Sequence, residues 1–182
     1  MRKAVVAAAA VAAILLSTSC LFIEDVVQPA EVEAGEKFEV ALQLRTGLQR
    51  TSAEALAEFA GVVAVSLPEG AEAVKAEYEG GAKGKLKRVK DAGVTYLPDR
   101  PGYTWFYWVT PERYEPLEAS GKDFTVKITL RAPDTQGDYE LAYAAGAVCT
   151  DGREINYATV IWANPSQGEA EEPMLERGIT VK

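Results

Sequence analysis

Lys37-Phe38-Glu39-Val40-Ala41-Leu42-Gln43-Leu44-Arg45 is the stretch that decides the fold. Phe38, Val40, Leu42 and Leu44 fall on one face of an extended chain, and Lys37, Glu39, Gln43 and Arg45 on the other. A period of two is what a strand with one buried face requires, because successive Cβ atoms alternate across the pleat. The pattern recurs with Phe124, Val126, Ile128 and Leu130 set against Thr125, Lys127, Thr129 and Arg131. It begins again at Tyr139, Leu141 and Tyr143 and runs on through small residues to Cys149. Between these lie further candidate strands at 62–67, 71–78, 103–109 and 155–162, each bounded by Gly, Pro or Asp. Asp151-Gly152 suits a type I′ turn, which predicts a hairpin of 139–150 with 153–162. Seven or eight strands with such turns predict an all-β fold, an antiparallel β-sandwich. One short helix is expected within it. Thr51-Ser52-Ala53-Glu54 offers a capping box, 53–60 is rich in helix formers, and Gly61 can close the end. Eight residues are marginal alone, so Leu56 and Phe59 are expected to dock this helix on the sandwich.

Two further stretches resemble bacterial immunoglobulin-like domains. Pro29-Ala30-Glu31-Val32-Glu33-Ala34-Gly35-Glu36-Lys37-Phe38 is similar to their opening, where a Pro-led edge strand turns through Gly into the first core strand. Gly137-Asp138-Tyr139-Glu140-Leu141 is similar to their closing part. The resemblance implies that the Tyr139 hydroxyl bonds nearby backbone as a corner and that Leu141 is a core position. On this reading the immunoglobulin-like sandwich spans 29–163. The polar, acidic tail from 164 onward is a loop, with a last short strand at 178–181.

The amino terminus reads as an export signal. Arg2 and Lys3 precede an uncharged apolar run, 4–16. At about 1.5 Å per residue its thirteen residues span roughly 20 Å, short of the roughly 30 Å of a bilayer core, so a cleaved signal over 1–19 fits better than a membrane span. Leu15-Leu16-Ser17-Thr18-Ser19-Cys20 resembles the lipobox of bacterial lipoproteins, which implies lipidation at Cys20 and a partner in the membrane. Residues 20–28 then read as a lipid-anchored tether. Leu21, where an inner-membrane retention signal carries Asp, implies the outer membrane within a cell-envelope location. Ser17 and Ser19 also suit ordinary signal peptidase, which would leave Cys20 unmodified. Lipidation makes Cys149 a lone thiol, whereas an unmodified Cys20 opens a Cys20–Cys149 disulfide.

Charge and composition exclude several functions. The chain carries net charge −8, and cleavage after Ser19 takes this to −10, since residues 1–19 hold Arg2 and Lys3 and no acid. This is the wrong sign for a nucleic-acid partner. There is no His, which removes Ser-His and Cys-His catalysis and the common zinc sites. No cofactor or metal site is expected. A Ca²⁺ held between Asp134 and Asp138 is explained more cheaply by a tight turn. Two surface features remain. Tyr103, Trp105 and Tyr107 share one face of a strand whose other face holds Phe106 and Trp108; they form a candidate binding strip suited to sugar rings or a protein partner, unless both faces of the strand are packed, which the area that such rings bury favours. Lys83, Lys85, Lys87, Arg88 and Lys90 form a basic loop able to touch anionic headgroups, or simply a solvated one. The expectation is a non-enzymatic module that binds or scaffolds another envelope protein or a glycan. A carbohydrate-binding module is the alternative, and a small carboxylate-based hydrolase stands behind it.

Overall fold

The structure, a computed structural model, describes residues 21–45, 58–79, 84–89, 97–109, 123–150, 155–162 and 174–182. These form twelve strands: β1 (Phe22–Val27), β2 (Glu31–Val32), β3 (Lys37–Arg45), β4 (Glu58–Pro68), β5 (Glu72–Glu79), β6 (Gly84–Lys85), β7 (Lys87–Val89), β8 (Tyr103–Val109), β9 (Asp123–Arg131), β10 (Gly137–Thr150), β11 (Ile155–Trp162) and β12 (Leu175–Val181). The first sheet runs β1-β3-β9-β5-β6, and the second runs β2-β12-β10-β4-β8-β7 with β11 also on β10. Every pairing is antiparallel except β2 with β12. The fold is thus the expected all-β, immunoglobulin-like sandwich, with more strands than seven or eight because β1 and the short β2, β6 and β7 add to them.

The alternating segments fill the core. Val40, Leu42 and Leu44 of β3 meet Val126, Ile128 and Leu130 of β9 across the first sheet, all buried. Leu141 and Tyr143 of β10 join Val63, Val65 and Leu67 of β4 from the second. Each such aliphatic side chain contributes roughly 1.5–3 kcal/mol relative to an exposed one. Tyr139 donates its hydroxyl to Thr135 O at 2.9 Å, which is the expected corner, and Leu141 lies in the core. Gly35, at φ 71°, makes the tight turn into β3, where an added Cβ would sit 2.9 Å from Asp134 Oδ1.

Four expectations change. Residues 58–60 are strand, not helix: Glu58, Phe59 and Ala60 continue the β4 ladder opposite Thr150, Cys149 and Val148. Pairing with β10 gives these residues ladder hydrogen bonds to a strand already in place, whereas an eight-residue helix must first overcome nucleation. The remainder of that expected helix, 51–57, lies outside the described residues, and among the described residues there is no helix.

The stretch 20–28 is not a free tether, since 22–27 are β1 and Leu21, Ile23 and Val26 are core residues. The last strand expected at 178–181 is present as β12 but begins earlier, at Leu175, and buries Ile179 and Val181, so the sandwich does not end at 163. Finally, β10 and β11 do form the hairpin, but the last pair is Thr150 with Ile155, so four residues, 151–154, separate the strands rather than two. Those four lie outside the described residues.

The segment from β1 to β2 switches sheets. β1 pairs with β3, the chain crosses at Gln28 and Pro29, and β2 then runs parallel to β12. Gln28 holds the crossing by donating Nε2 to Gly178 O at 2.9 Å and accepting from the Tyr143 hydroxyl at 2.7 Å. On the opposite side, β6 lies on the first sheet and β7 on the second, with buried Leu86 between them closing the gap.

Candidate functional site

The register of β8 against β4 assigns its faces. Trp108 and Phe106 stand opposite Val63 and Val65 and point into the core, where Trp108 is buried. Tyr107, Trp105 and Tyr103 stand opposite Ala64, Ser66 and Pro68 on the outer face of the second sheet, each half-buried. Across β4, Ser66, Ala64 and Val62 pair with Ala142, Ala144 and Gly146 of β10. The candidate strip therefore borders a floor of small and apolar side chains. That floor is only 0–1% exposed at Val62, Ala64, Ser66, Ala142 and Ala144, although none of them belongs to the core between the sheets.

The turn before β8 folds onto this face. Trp105 donates Nε1 to Pro98 O at 3.0 Å. The Arg100 guanidinium lies 4.5 Å from the centroid of the Tyr103 ring, donates to Glu140 O at 3.0 Å, and pairs with Glu176 at 3.1 Å. The Glu140 amide in turn donates to the Tyr103 hydroxyl at 3.4 Å. Burial pushes the Tyr107 phenol up to about 12, because its ionised form loses hydration there. Among the described residues, two buried polar atoms on this face have no partner: Ser66 Oγ and Arg100 Nη1. A lone polar residue inside the apolar run 62–67 was the sequence signal for Ser66. Nothing in the sequence singled out Arg100, whose side chain is 13% exposed despite its charge.

The outer face of the first sheet has the opposite character. Arg45 pairs with Glu24 and Asp123, Lys127 with Glu39, Arg131 with Glu72, and Lys75 with Glu77. The hydrogen bond from Arg45 holds the Asp123 carboxyl below its ordinary value. Adjacent strands thus neutralise one another in register, leaving a mixed, solvated surface.

The basic residues do not form one free loop in the described part. Lys85 is in β6 and Lys87 and Arg88 are in β7, while Lys83 and Lys90 lie outside the described residues. Arg88 stacks 4.7 Å above Phe106 and donates to Ala73 O at 3.1 Å, so it bridges the two sheets. Cys20 lies outside the described residues, and Cys149 is placed only as backbone, opposite Phe59. Asp138 accepts from the Thr180 hydroxyl at 2.8 Å, and Asp134 faces Gly35. Among the described residues no three His, Cys, Asp or Glu gather as a metal site. An apolar recess at one end of the core, lined by Phe38, Leu67, Tyr139 and Ile179 among others, has a volume of about 10 Å³, room for one water.

No protein-family model matches the chain, and no curated protein matches it. Solved structures resemble it in outline. The N-terminal domain of the Streptococcus gordonii adhesin Sgo0707 aligns over 92% of this chain and 33% of its own, at 10% identity and a TM-score of 0.48. AvmM, which catalyses macrocyclization in alchivemycin A biosynthesis, aligns over 90% and 88% at 11% identity and 0.47. A cohesin module from a Clostridium perfringens family 33 glycoside hydrolase aligns over 90% and 98% at 12% identity and 0.43. At such identities and scores the likenesses say nothing of what this chain binds or does.

Proposed function

We propose that the protein is a non-catalytic, exported β-sandwich, held at the cell envelope through lipid on Cys20, that binds or scaffolds another envelope protein or glycan. The binding surface is the half-buried strip of Tyr103, Trp105 and Tyr107 on the outer face of the second sheet, beside a floor that is itself covered. The observation that carries this reading is the contrast between the two outer faces. The first sheet turns a self-neutralised array of ion pairs to water. The second carries half-buried aromatic rings beside small side chains that are almost wholly covered, with no comparable array of charge. Aromatic rings on a flat surface are the usual anchors of interfaces, whereas exposed mixed charge contributes little affinity.

A photo-reactive amino acid in place of Tyr107, expressed in the native cell, is expected to crosslink to one defined envelope component, while the same group in place of Thr129 on the first sheet gives none. Equal crosslinking from both positions refutes the assignment of the face. A glycan partner is the second reading, favoured by three half-buried rings spaced two residues apart on β8. It predicts that envelope polysaccharide changes Trp fluorescence saturably and that Trp105→Ala abolishes the change.

A further inference from the structure

Leu21, directly after the proposed lipid-bearing residue, is a core side chain, 2% exposed. Ile23 and Val26 join it, so the folded domain starts one residue after Cys20. A nine-residue tether over 20–28 would reach roughly 30 Å when extended, whereas one peptide bond separates the Cα atoms of residues 20 and 21 by about 3.8 Å. Strand directions fix which end of the sandwich this is. Phe22 pairs with Arg45, and Arg45 with Asp123, so residue 21 lies at the end where β3 finishes and β9 begins. The opposite end carries the turns 33–36, 69–71, 97–102 and 132–136, joined across the sheets by Gly35 N to Pro133 O and Glu69 N to Gly102 O. Nine residues of β3 and β9 separate the two ends, about 26 Å at a strand rise of roughly 3.3 Å. Those far turns present exposed Glu33, Glu36, Glu69, Asp99 and Asp134; of the bases at that end, Arg100 is engaged with Glu140 and Glu176, Arg131 with Glu72 and Lys182 with Glu31, which leaves acids in excess beside Lys37.

Resting on the lipidation proposed above, we infer that the sandwich stands directly on the bilayer in one orientation. The end that holds Leu21, Arg45 and Asp123 faces the lipid, and the acidic turns point away from it. The partner of the Leu21 end is the membrane surface itself. Two features enforce the orientation. A junction without slack keeps the anchored end within a few residues' length of the headgroups. An anionic leaflet repels the five acids of the opposite end.

The test uses the full protein extracted from its membrane and reconstituted in vesicles that carry a headgroup-attached energy acceptor. A donor dye is placed at Gln43→Cys near the anchored end or at Gln136→Cys in a far turn, both in a Cys149→Ala background; both positions are exposed. Energy transfer is expected to be clearly stronger from residue 43 than from residue 136. Inserting ten Gly and Ser residues between Cys20 and Leu21 should remove most of that difference. Equal transfer from both positions without the insertion, with lipid on Cys20 confirmed by intact mass, overturns the orientation alone. An intact mass without lipid overturns the envelope attachment, and the orientation with it.

Discussion

Leu21→Ala separates a folded start from a tether. In the mature chain, expressed from residue 20 with Cys20→Ser, the substitution removes three buried carbons from a side chain that is 2% exposed. At about 0.8 kcal/mol per methylene the transfer loss is about 2.4 kcal/mol. The void left beside Ile23 and Val26 raises the cost to about 3 kcal/mol, within the 2–5 kcal/mol typical of Leu→Ala. For a domain of this size that is a fall in Tm of about 6–12 °C. Val27→Ala is the matched control, because Val27 lies in the same strand but is 52% exposed, and its loss should stay within about 0.5 kcal/mol. Urea unfolding of the two variants beside the parent, followed by Trp fluorescence, reads both quantities. If Leu21→Ala costs no more than Val27→Ala, the residue is not in the core and the reasoning that joins the domain to the anchor fails.

Ser66→Ala should leave stability unchanged or raise it by about 1 kcal/mol, since it deletes a buried hydroxyl that has no partner; a loss above 1 kcal/mol on denaturant unfolding would show that the hydroxyl is bonded. Tyr139→Phe removes the bond to Thr135 O and should cost about 1 kcal/mol, and an unchanged midpoint would mean that the corner is ornamental. Asp123 has a folded pKa below its unfolded one, so its bond from Arg45 adds stability above the ordinary carboxylate range and loses it as pH falls through the lowered value. Asp123→Asn should therefore cost a little stability at pH 7, where the pair is exposed and weak, and nothing once pH is below the lowered value, so that the acid limb flattens by that same small amount; an unaltered acid limb contradicts this.

What the sequence discloses depends on whether a strand keeps its period. β3 and β9 alternate without interruption, β10 does so over its first residues, and all three were legible at once. β1 was not, because a register shift between Ile23 and Asp25 lets Ile23 and Val26, three residues apart, both face inward. That bulge erases the alternation and makes 22–27 read as an irregular tether. At 58–60 local propensity favoured helix, and pairing with β10 overrode it, a choice made by residues ninety positions away. The two faces of β8 could be assigned from alternation alone. Their surroundings could not, since the floor of Ala64, Ser66, Ala142 and Ala144 exists only once the β4 and β10 registers are known. The continuous apolar run 62–67 carried the hint, as a strand covered on both sides shows no alternation.

The junction at Leu21 also limits what the aromatic border can reach. β8 begins at Tyr103 beside the turns far from residue 21 and runs toward the anchored end as far as Val109, with Pro68 and Val62 as its partners at the two ends. The line from Tyr103 to Tyr107 therefore lies along the height of the sandwich, not across its top. A tether would let this face turn freely toward anything within some 30 Å. A domain standing directly on the bilayer presents it sideways, below the acidic turns. On the proposed anchoring, the partner that fits such a face is one already lying beside the domain on the same surface, a neighbouring envelope protein or a glycan close to the membrane. A soluble partner approaching from above would meet Glu33, Glu69 and Asp134 first, which makes the affinity of any such complex more dependent on salt than that of a lateral one.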